Sequence, residues 1–238
     1  GYRHIDTAMI YGNEVGVGRA IANSGIPRDE LFVTTKLWSS DQGSMAAASD
    51  AIDLSLEKLG LESVDLYLIH WPRPDLDLYL ETWLAMEQLR DAGKATSIGV
   101  SNFNVPHLEK LFAGSSTVPA VNQIELHPTF QQRDLRAFGG ENGIAIEGWG
   151  PLGHGKYDPF GIPTIAQAAA AHGVAPAQVI LRWHLQSGIV VIPKSSSVER
   201  MRQNIDVFGF ELSPAEMAAI DALDAGNRVG ADPDTATF

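Results

Sequence analysis

The first fourteen residues contain a carboxylate and a phenol at a spacing that could support proton chemistry. Asp6 ends a short apolar run that predicts a β-strand, and Tyr11 follows five residues later, just before the Gly12-Asn13 pair that opens a helix. A carboxylate at the end of a strand and a phenol at the start of the next helix can face the same cleft. The sequence therefore predicts a site here, and the rest of the chain must supply its other groups.

Two further proton-handling side chains stand at the ends of the next two predicted strands. Lys36 ends the strand over 31–36, and His70 ends the strand over 64–70. An ammonium beside a phenol stabilises the phenolate and lowers the pKa of the phenol, and a carboxylate beside the lysine keeps it charged. A histidine can orient a carbonyl or relay a proton. The four groups together predict a polarised proton donor for a carbonyl oxygen.

Each of the four residues also has a purely structural interpretation. Asp6 could cap a helix, Tyr11 could be half-buried packing, and His70 could be a hydrogen-bonded core histidine. Lys36 is harder to explain in this way, because an unpaired buried lysine is strongly destabilising. The occurrence of all four on consecutive βα units favours the functional interpretation.

The elements that must position these side chains alternate along the chain. Short β-branched and apolar runs predict strands, and residues with helical periodicity between them predict helices. Seven strands are predicted, over residues 3–6, 31–36, 64–70, 96–101, 120–126, 144–149 and 189–193. Alternating βα units imply a parallel sheet.

Two architectures fit such a sheet, an open doubly wound sheet and a closed barrel. The glycine-rich run from Gly12 to Gly18 lacks the G-x-G-x-x-G spacing of open nucleotide-binding sheets, and the sequence contains no P-loop run. Polar residues instead follow the carboxyl ends of nearly every strand, as in a (β/α)8 TIM barrel. We therefore predict an α/β TIM-barrel fold that forms a single domain over 1–238. Because seven strands leave exposed sheet edges, we expect one further strand–helix unit, of about 40 residues, to precede Gly1.

Composition excludes several classes of function. The net charge is −12, from 17 basic and 29 acidic residues, and no basic cluster suggests a nucleic-acid partner. The absence of cysteine excludes disulfides, thiolate catalysis and zinc–thiolate sites, and it fits a cytoplasmic location. No apolar run approaches the roughly 18 residues of a membrane span. The remaining histidines share no metal-ligand spacing, so no metal site is predicted.

The motifs around these residues resemble, one after another, those of the aldo-keto reductases. They are Gly1-Tyr-Arg-His-Ile-Asp-Thr-Ala, Tyr11-Gly-Asn-Glu, Thr35-Lys-Leu-Trp, Asp65-Leu-Tyr-Leu-Ile-His-Trp-Pro, Ile98-Gly-Val-Ser-Asn-Phe, Asn122-Gln-Ile-Glu-Leu-His-Pro and Ile192-Pro-Lys-Ser. The resemblance spans essentially the whole chain. Within the family, the segment 147–157 is similar to bacterial reductases of the 2,5-diketo-D-gluconic acid reductase type.

The resemblance implies a catalytic tetrad and a substrate pocket. Tyr11 would be the general acid, and Asp6, Lys36 and His70 would complete the tetrad. Trp38, His70 and Trp71 would contact the substrate, with the C-terminal tail helping to wall the pocket. The family is often monomeric, which implies a monomer here.

The resemblance also implies a binding residue for each part of a nicotinamide cofactor. The nicotinamide amide would be held by Ser101, Asn102 and Gln123, and Trp149 would stack on the ring, although core packing is its structural alternative. The pyrophosphate would be lined by Gly150, Pro151, Leu152 and Gly153. The adenosine end would be held by Ile192, Lys194, Ser195, Ser196, Arg200, Gln203 and Asn204. Position 203 is Gln where the family commonly has an acidic residue, a change expected to alter the adenine contact without removing it.

Two cations in the adenosine segment favour NADPH over NADH. The fork of an arginine together with the point charge of a lysine suits a 2′-phosphate, and Arg200 and Lys194 supply this pair. Arg200 alone could equally be a solvated helix charge. We therefore predict an NADPH-dependent oxidoreductase that reduces aldehydes or ketones, including dicarbonyls and keto-sugars, to alcohols.

Two other functions remain open from the sequence. One is an NADPH-binding barrel that acts as a sensor or a non-catalytic subunit. The other is a TIM-barrel lyase or isomerase in which Lys36 forms a Schiff base with its substrate.

Overall fold

The computed structural model describes all 238 residues and alternates strands with helices. The strands are β1 (His4–Asp6), β2 (Phe32–Leu37), β3 (Val64–Ile69), β4 (Ala95–Ser101), β5 (Val121–Glu125), β6 (Ala145–Trp149) and β7 (Val190–Val191). The helices are α1 (Glu14–Asn23), α2 (Met45–Leu59), α3 (Tyr79–Asp91), α4 (Val105–Gly114), α5 (Arg133–Glu141), α6 (Pro163–His172), α7 (Pro176–Gln186), α8 (Val198–Ile205) and α9 (Pro214–Asp221). The strands hydrogen-bond in chain order from β1 to β7, as the βα alternation predicts.

Six of the seven strands lie within one residue of their predicted bounds at each end, but β7 is shorter than predicted. It covers Val190–Val191 rather than 189–193. Pro193 has no N–H to donate to a ladder, and the hydrogen bond from Ile192 N to the Gly148 carbonyl oxygen is already long at 3.4 Å. Proline therefore ends this strand early.

The chain divides into two compact units. Unit 1 contains Gly1–Asn122, Asn142–Ile144 and Asp232–Phe238, and unit 2 contains Gln123–Glu141 and Ala145–Ala231. The tetrad residues all belong to unit 1, whereas Trp149 and the segment 192–204 belong to unit 2.

Unit 1 is built on the parallel strands β1 to β4. The register sets Asp6 beside Thr34, and Lys36 beside Leu68. Strand β3 is buried along nearly its whole length, which explains its continuous apolar sequence, since parallel strands are covered on both faces. Parallel pairing brings the carboxyl ends of these strands to one edge, where their polar side chains can meet.

Helix α2 shows why the sequence folds locally as predicted. The Ser44 side chain caps its N-terminus by accepting from Ala47 N, and Gly60 ends it in the left-handed conformation at φ 64°. Ile52 and Leu56 on its inner face are buried, as the periodicity predicts. Met45, in the first turn of the helix, is exposed.

Unit 2 has its core between helices and the strands β6 and β7, which pair in parallel. Trp183 on α7 is fully buried, and its Nε1 donates to Asp221 at the end of α9 over 2.9 Å. His184 is also fully buried, and burial lowers its pKa to about 4. The hydrogen bond between Trp183 and Asp221 therefore joins α7 to the end of α9. No helix of the chain is both long and apolar enough to cross a membrane.

Candidate active site

A buried ion pair lies at the carboxyl ends of β1 and β2. The Lys36 side chain is fully buried, and its Nζ donates to Asp6 Oδ1 over 2.5 Å and to the Thr7 carbonyl oxygen over 2.9 Å. Only 10% of the Asp6 side chain is exposed. A buried ammonium is tolerated only where acceptors surround it, and these two acceptors take up two of its three N–H donors. The expected pairing of Asp6 with Lys36 is therefore present.

Tyr11 stands over this ion pair. It ends a single turn of 3-10 helix, Met9–Tyr11, which Gly12 terminates in the left-handed conformation at φ 65°. Lys36 Nζ lies 5.2 Å from the centroid of the phenol ring. About half of the Tyr11 surface is exposed (50%), so the phenol is accessible from solvent.

The pKa of Tyr11 moves opposite to the direction that a lysine alone would give. Burial raises the pKa of the phenol above its ordinary value of 10, and the Lys36 ammonium, which lowers it, offsets only part of that effect. The phenol is therefore neutral near pH 7 and carries the proton that a general acid must give away.

His70 follows directly after β3 and faces the phenol. Its ring packs edge-on against Tyr11, with centroids 5.7 Å apart. Burial, followed by the nearby Lys36 charge, lowers the pKa of His70 to about 3. The imidazole is therefore neutral, and its Nδ1 is buried without a hydrogen-bond partner. The structure brings all four tetrad residues together.

Asn102 connects the end of β4 to His70. It adopts a left-handed backbone conformation at φ 63°, which is uncommon for a residue other than glycine. Its Nδ2 donates to the His70 carbonyl oxygen over 2.9 Å and to Ser101 Oγ over 3.1 Å. Ser101 and Asn102 are both buried beside the tetrad.

Aromatic rings form a wall next to His70. Trp38 packs edge-on against His70 at 5.1 Å and stacks on Phe238 at 5.9 Å, with the two planes 9° apart. Trp71 packs edge-on against Phe238 at 5.1 Å. Arg73 Nη1 holds this end of the chain by donating to the Phe238 carbonyl oxygen over 2.8 Å. The tail was expected to wall the pocket, but no local sequence signal singled out Phe238.

In unit 2, Gln123 and Trp149 lie at the carboxyl ends of β5 and β6. Gln123 Nε2 donates to Glu147 Oε1 over 3.0 Å, and both side chains are buried. Trp149 is partly exposed, and His154 packs edge-on against its ring at 5.5 Å. A core tryptophan would be fully covered, so partial exposure favours the ligand-facing interpretation of Trp149 over core packing.

The segment from Gly150 to Gly153, with Pro151 and Leu152 between them, forms a tight turn after β6. Gly153 N donates to the Gly150 carbonyl oxygen over 2.9 Å. Both glycines have positive φ, 66° and 79°, which L-residues rarely adopt. A Cβ on Gly153 would also lie 2.5 Å from Tyr157 Cε1. Glycine is therefore required here, whatever the turn binds.

The predicted adenosine segment lies on the turn before α8 and on that helix. Ser197 caps the helix by accepting from Arg200 N over 3.4 Å, and Ser197 N donates to Ser195 Oγ over 3.1 Å. Lys194, Ser196, Arg200 and Gln203 are exposed, Ile192 and Ser195 are partly covered, and Asn204 is buried. The ion pairs of unit 2 join other residues, so neither Lys194 nor Arg200 is neutralised.

The sequence reasoning missed one buried polar group. Glu125 and His127, which flank the end of β5, are both fully buried and bound to each other over 3.0 Å. Neither residue was predicted from the sequence to have a functional role. Their signal was two ionisable residues in a run that otherwise predicts a buried strand. No group of three or more His, Cys, Asp or Glu residues in the chain could hold a metal ion.

Comparison with known proteins identifies the family. A sequence profile described as the aldo/keto reductase family matches residues 1–225. An aldo-keto reductase of Mycolicibacterium smegmatis is 51% identical over all of this chain and 86% of its own length. A methylglyoxal reductase, DkgA, of Yersinia pestis is 48% identical over 98% of this chain and 83% of its own length.

Solved structures agree with the sequence relatives. The crystal structure of a Gox0644 mutant in complex with NADPH is 46% identical and has a TM-score of 0.94, covering 100% of this chain and 86% of that one. With the parallel strands in chain order, this likeness confirms the predicted α/β class and (β/α)8 barrel fold. The chain belongs to the aldo/keto reductase family.

Proposed function

We propose that the protein reduces aldehydes and ketones to alcohols with NADPH, and that Tyr11 donates the proton. One observation carries the proposal, namely that the neutral Tyr11 phenol has its ring centroid 5.2 Å from Nζ of the buried Lys36. The phenol is accessible, the ammonium is held in place by Asp6, and the neutral His70 faces the same ring. This arrangement suits protonation of a carbonyl oxygen.

The residues of unit 2 fit a nicotinamide dinucleotide phosphate. The partly exposed Trp149 ring offers a stacking face, and the positive-φ turn between Gly150 and Gly153 keeps side chains away from a pyrophosphate. Lys194 and Arg200 are exposed cations without carboxylate partners in a chain of net charge −12. NADPH, when bound, supplies the hydride. The NADPH complex of the Gox0644 mutant supports this choice of cofactor.

Each tetrad residue then has a distinct task. The Tyr11 O–H gives its proton to the carbonyl oxygen as negative charge develops there. The Lys36 ammonium stabilises the phenolate that remains, and Asp6 keeps that ammonium oriented. His70, neutral because burial lowers its pKa to about 3, can donate one hydrogen bond to the substrate oxygen without carrying a competing charge.

The geometry disfavours a Schiff-base mechanism at Lys36. A nucleophilic lysine needs a free amine that the substrate can reach. Lys36 is fully buried, and its Nζ donates to Asp6 and to the Thr7 carbonyl oxygen. The lyase or isomerase alternative therefore has no supporting observation.

The name of one relative points to small dicarbonyl compounds as substrates. The DkgA relative is a methylglyoxal reductase and is 48% identical. The aromatic wall of Trp38, Trp71 and Phe238 offers apolar contact beside the tetrad. We propose that 2-oxoaldehydes and keto-sugars with one adjacent apolar face are reduced best.

A panel of carbonyl compounds tests the proposal, with consumption of NADPH or NADH followed by absorbance. We expect NADPH-dependent turnover of dicarbonyls in the wild type. Tyr11→Phe should lower turnover by about 10²- to 10⁴-fold, the usual contribution of a general acid, while the fluorescence change on NADPH binding persists. If neither protein turned over any carbonyl compound but both bound NADPH, the sensor alternative would replace the reductase.

A further inference from the structure

A network of buried polar groups in unit 2 donates no proton and no hydride in the proposed reaction. At its centre the Glu125 carboxylate is 1% exposed. Glu125 Oε1 accepts from Val229 N over 2.6 Å, and Oε2 accepts from Gly230 N over 2.8 Å. The carboxylate thus holds two successive backbone N–H groups of the segment that follows α9.

His127 extends this network of polar groups from Glu125 to Tyr157 and Thr129. Its Nε2 lies 3.0 Å from Glu125 Oε1, and its Nδ1 lies 3.0 Å from the Tyr157 hydroxyl and 3.2 Å from Thr129 Oγ1. A carboxylate only accepts, so in the neutral ring Nε2 must be the donor and Nδ1 the acceptor. A hydroxyl must therefore donate to Nδ1, and Tyr157 is positioned to do so.

The ionisation states of Tyr157 and Glu125 support this direction of donation. Burial raises the pKa of Tyr157 to about 12, so its hydroxyl keeps its proton. Burial acts to raise the pKa of Glu125, but the hydrogen bonds from His127, Val229 and Gly230 outweigh it and lower the pKa of that carboxyl. Glu125 is therefore an anion that accepts from three donors.

The two ends of this network, Gly230 and Tyr157, touch residues proposed to hold the cofactor. A Cβ on Gly230 would lie 2.5 Å from Trp149 Cη2, so the backbone at Gly230 packs directly against that ring. A Cβ on Gly153 would lie 2.5 Å from Tyr157 Cε1, so Tyr157 packs against the turn that follows Trp149. Lys156 Nζ adds a further link to the Val229 carbonyl oxygen over 2.6 Å.

We propose that Glu125 and His127 are positioning residues that hold the Trp149 ring and the Gly150–Tyr157 loop in the geometry that receives NADPH. Glu125 holds the Gly230 backbone against the tryptophan ring, and His127, through Tyr157, holds the loop that follows the ring. This inference rests on the proposed function, in which Trp149 stacks on the nicotinamide.

A gain in stability does not explain why the Glu125 carboxylate is buried at this position. A buried charge that needs three donors adds little net stability compared with an apolar side chain of similar size. What it does supply is direction, because its two oxygens fix the positions of two backbone N–H groups at once. Gly230 is the one of these that contacts Trp149.

The test is a double-mutant cycle read by NADPH affinity, using Glu125→Gln and Trp149→Ala. In Glu125→Gln an NH2 group replaces one of the two oxygens that accept from Val229 N and Gly230 N. An NH2 group cannot accept from a backbone N–H, so at least one of these hydrogen bonds is lost. We expect the Kd for NADPH to rise about tenfold in Glu125→Gln, the equivalent of one good hydrogen bond. In the Trp149→Ala background, the same change should have less than about a twofold effect, because no ring remains to be positioned.

Gly230→Ala gives a second route that leaves the carboxylate in place. The added Cβ collides with Trp149 and with Glu125 Oε2. We expect a similar rise in the Kd for NADPH, again lost in the Trp149→Ala background. Gly209→Ala is the matched control in the same unit, since its Cβ meets nothing within 4 Å and its Kd should not change. Tyr157→Phe, which removes only the hydroxyl, should act in the same direction with a smaller effect.

The outcomes separate this inference from the proposed function. If Trp149→Ala leaves NADPH affinity unchanged, the stacking role itself is wrong and the inference falls with it. Two outcomes would overturn only the positioning role, given that Trp149→Ala weakens NADPH binding. In the first, Glu125→Gln and Gly230→Ala leave the Kd unchanged. In the second, their effects on the Kd add in full to the effect of Trp149→Ala. Loss of both effects in the double mutants supports it. Thermal melting of each variant accompanies the binding measurement, so that an unfolded protein is not scored as a weak binder.

Discussion

In the proposed chemistry, unit 1 supplies proton donation and unit 2 supplies binding of the cofactor phosphate, and the cations of the two units differ in burial. In unit 1 the ammonium of Lys36 is fully buried and satisfied by Asp6 and the Thr7 carbonyl oxygen. In unit 2 the proposed phosphate-binding cations, Lys194 and Arg200, are exposed and without ion-pair partners. The ion pair that supports the proton donor is therefore buried in the fold, whereas the proposed phosphate-binding cations lie on the surface.

This difference predicts how each unit responds to mutation. A buried charge that loses its partner leaves an unsatisfied group in the protein interior, so changes near the tetrad should cost stability as well as activity. An exposed cation without a partner interacts mainly with water, so its removal should affect ligand binding alone. The predictions below test this contrast, from the largest expected change in the free energy of unfolding to the smallest.

The largest effect is expected from Lys36→Met. It leaves the Asp6 carboxylate, with only 10% of its side chain exposed, without its cation, at a cost of about 3–5 kcal/mol. Lys94→Met is the matched control, because Lys94 Nζ contacts Asp53 Oδ1 at the same 2.5 Å but both side chains are more exposed. That control should cost no more than about 1 kcal/mol in urea unfolding. Equal losses for the two variants would contradict the contrast.

His70 should make stability depend on pH. Its folded-state pKa of about 3 lies below the ordinary 6.5, so the unfolded chain takes up the proton first as the pH falls. The stabilisation is complete above pH 6.5 and is lost on acidification toward pH 3, by roughly 2 kcal/mol at pH 5. His70→Gln should remove this part of the loss between pH 7 and pH 5, measured by urea unfolding.

The remaining acid sensitivity in that variant has a second source. His184 in unit 2, with a pKa of about 4, has the same sign and should persist in His70→Gln. A variant that lost as much stability on acidification as the wild type would show that His70 is not held neutral in the folded protein.

A smaller loss is expected from Gly153→Ala. The residue has φ 79°, which costs an L-residue roughly 1–2 kcal/mol, and the added Cβ meets Tyr157. Gly140→Ala, in helix α5 with open space around its Cβ, should melt at the same temperature as the wild type or higher. Thermal melting distinguishes the two, and equal melting temperatures would remove the conformational argument for this turn.

The smallest change in stability is expected from the double variant Lys194→Met and Arg200→Met. Unfolding should shift by less than about 0.5 kcal/mol, because neither side chain has an ion-pair partner. The Kd for NADPH should rise about tenfold or more, since charge-assisted hydrogen bonds to a phosphate are lost. Binding of NADH, measured by fluorescence, should not change. Equal weakening for both cofactors would mean that these cations do not read the 2′-phosphate.

The sequence predicted the local structure and the tetrad because both leave local signals. Strand and helix bounds follow from apolar periodicity and from capping residues such as Ser44 and Gly60. The tetrad stands at the ends of successive strands, and parallel pairing brings such ends to one edge. Asp6, Lys36 and His70 could therefore be grouped before any coordinates were known.

Features that depend on distant contacts could not be predicted in this way. The stacking of Phe238 on Trp38 joins the last residue to an early loop, and no local pattern encodes it. The direction of the Tyr11 pKa depends on a balance between burial and the Lys36 charge, which a residue list does not give. The group around Glu125 joins several separate segments, so the sequence shows ionisable residues near the end of a strand but not the partners that they bind.

The central claim, that Tyr11 is the proton donor, is tested most directly by a single-turnover measurement. Wild type and Tyr11→Phe are each saturated with NADPH, mixed with a dicarbonyl compound, and followed by loss of NADPH absorbance. We expect equal NADPH occupancy and a rate about 10²- to 10⁴-fold lower in Tyr11→Phe. A Tyr11→Phe protein that consumed bound NADPH at the wild-type rate would contradict it.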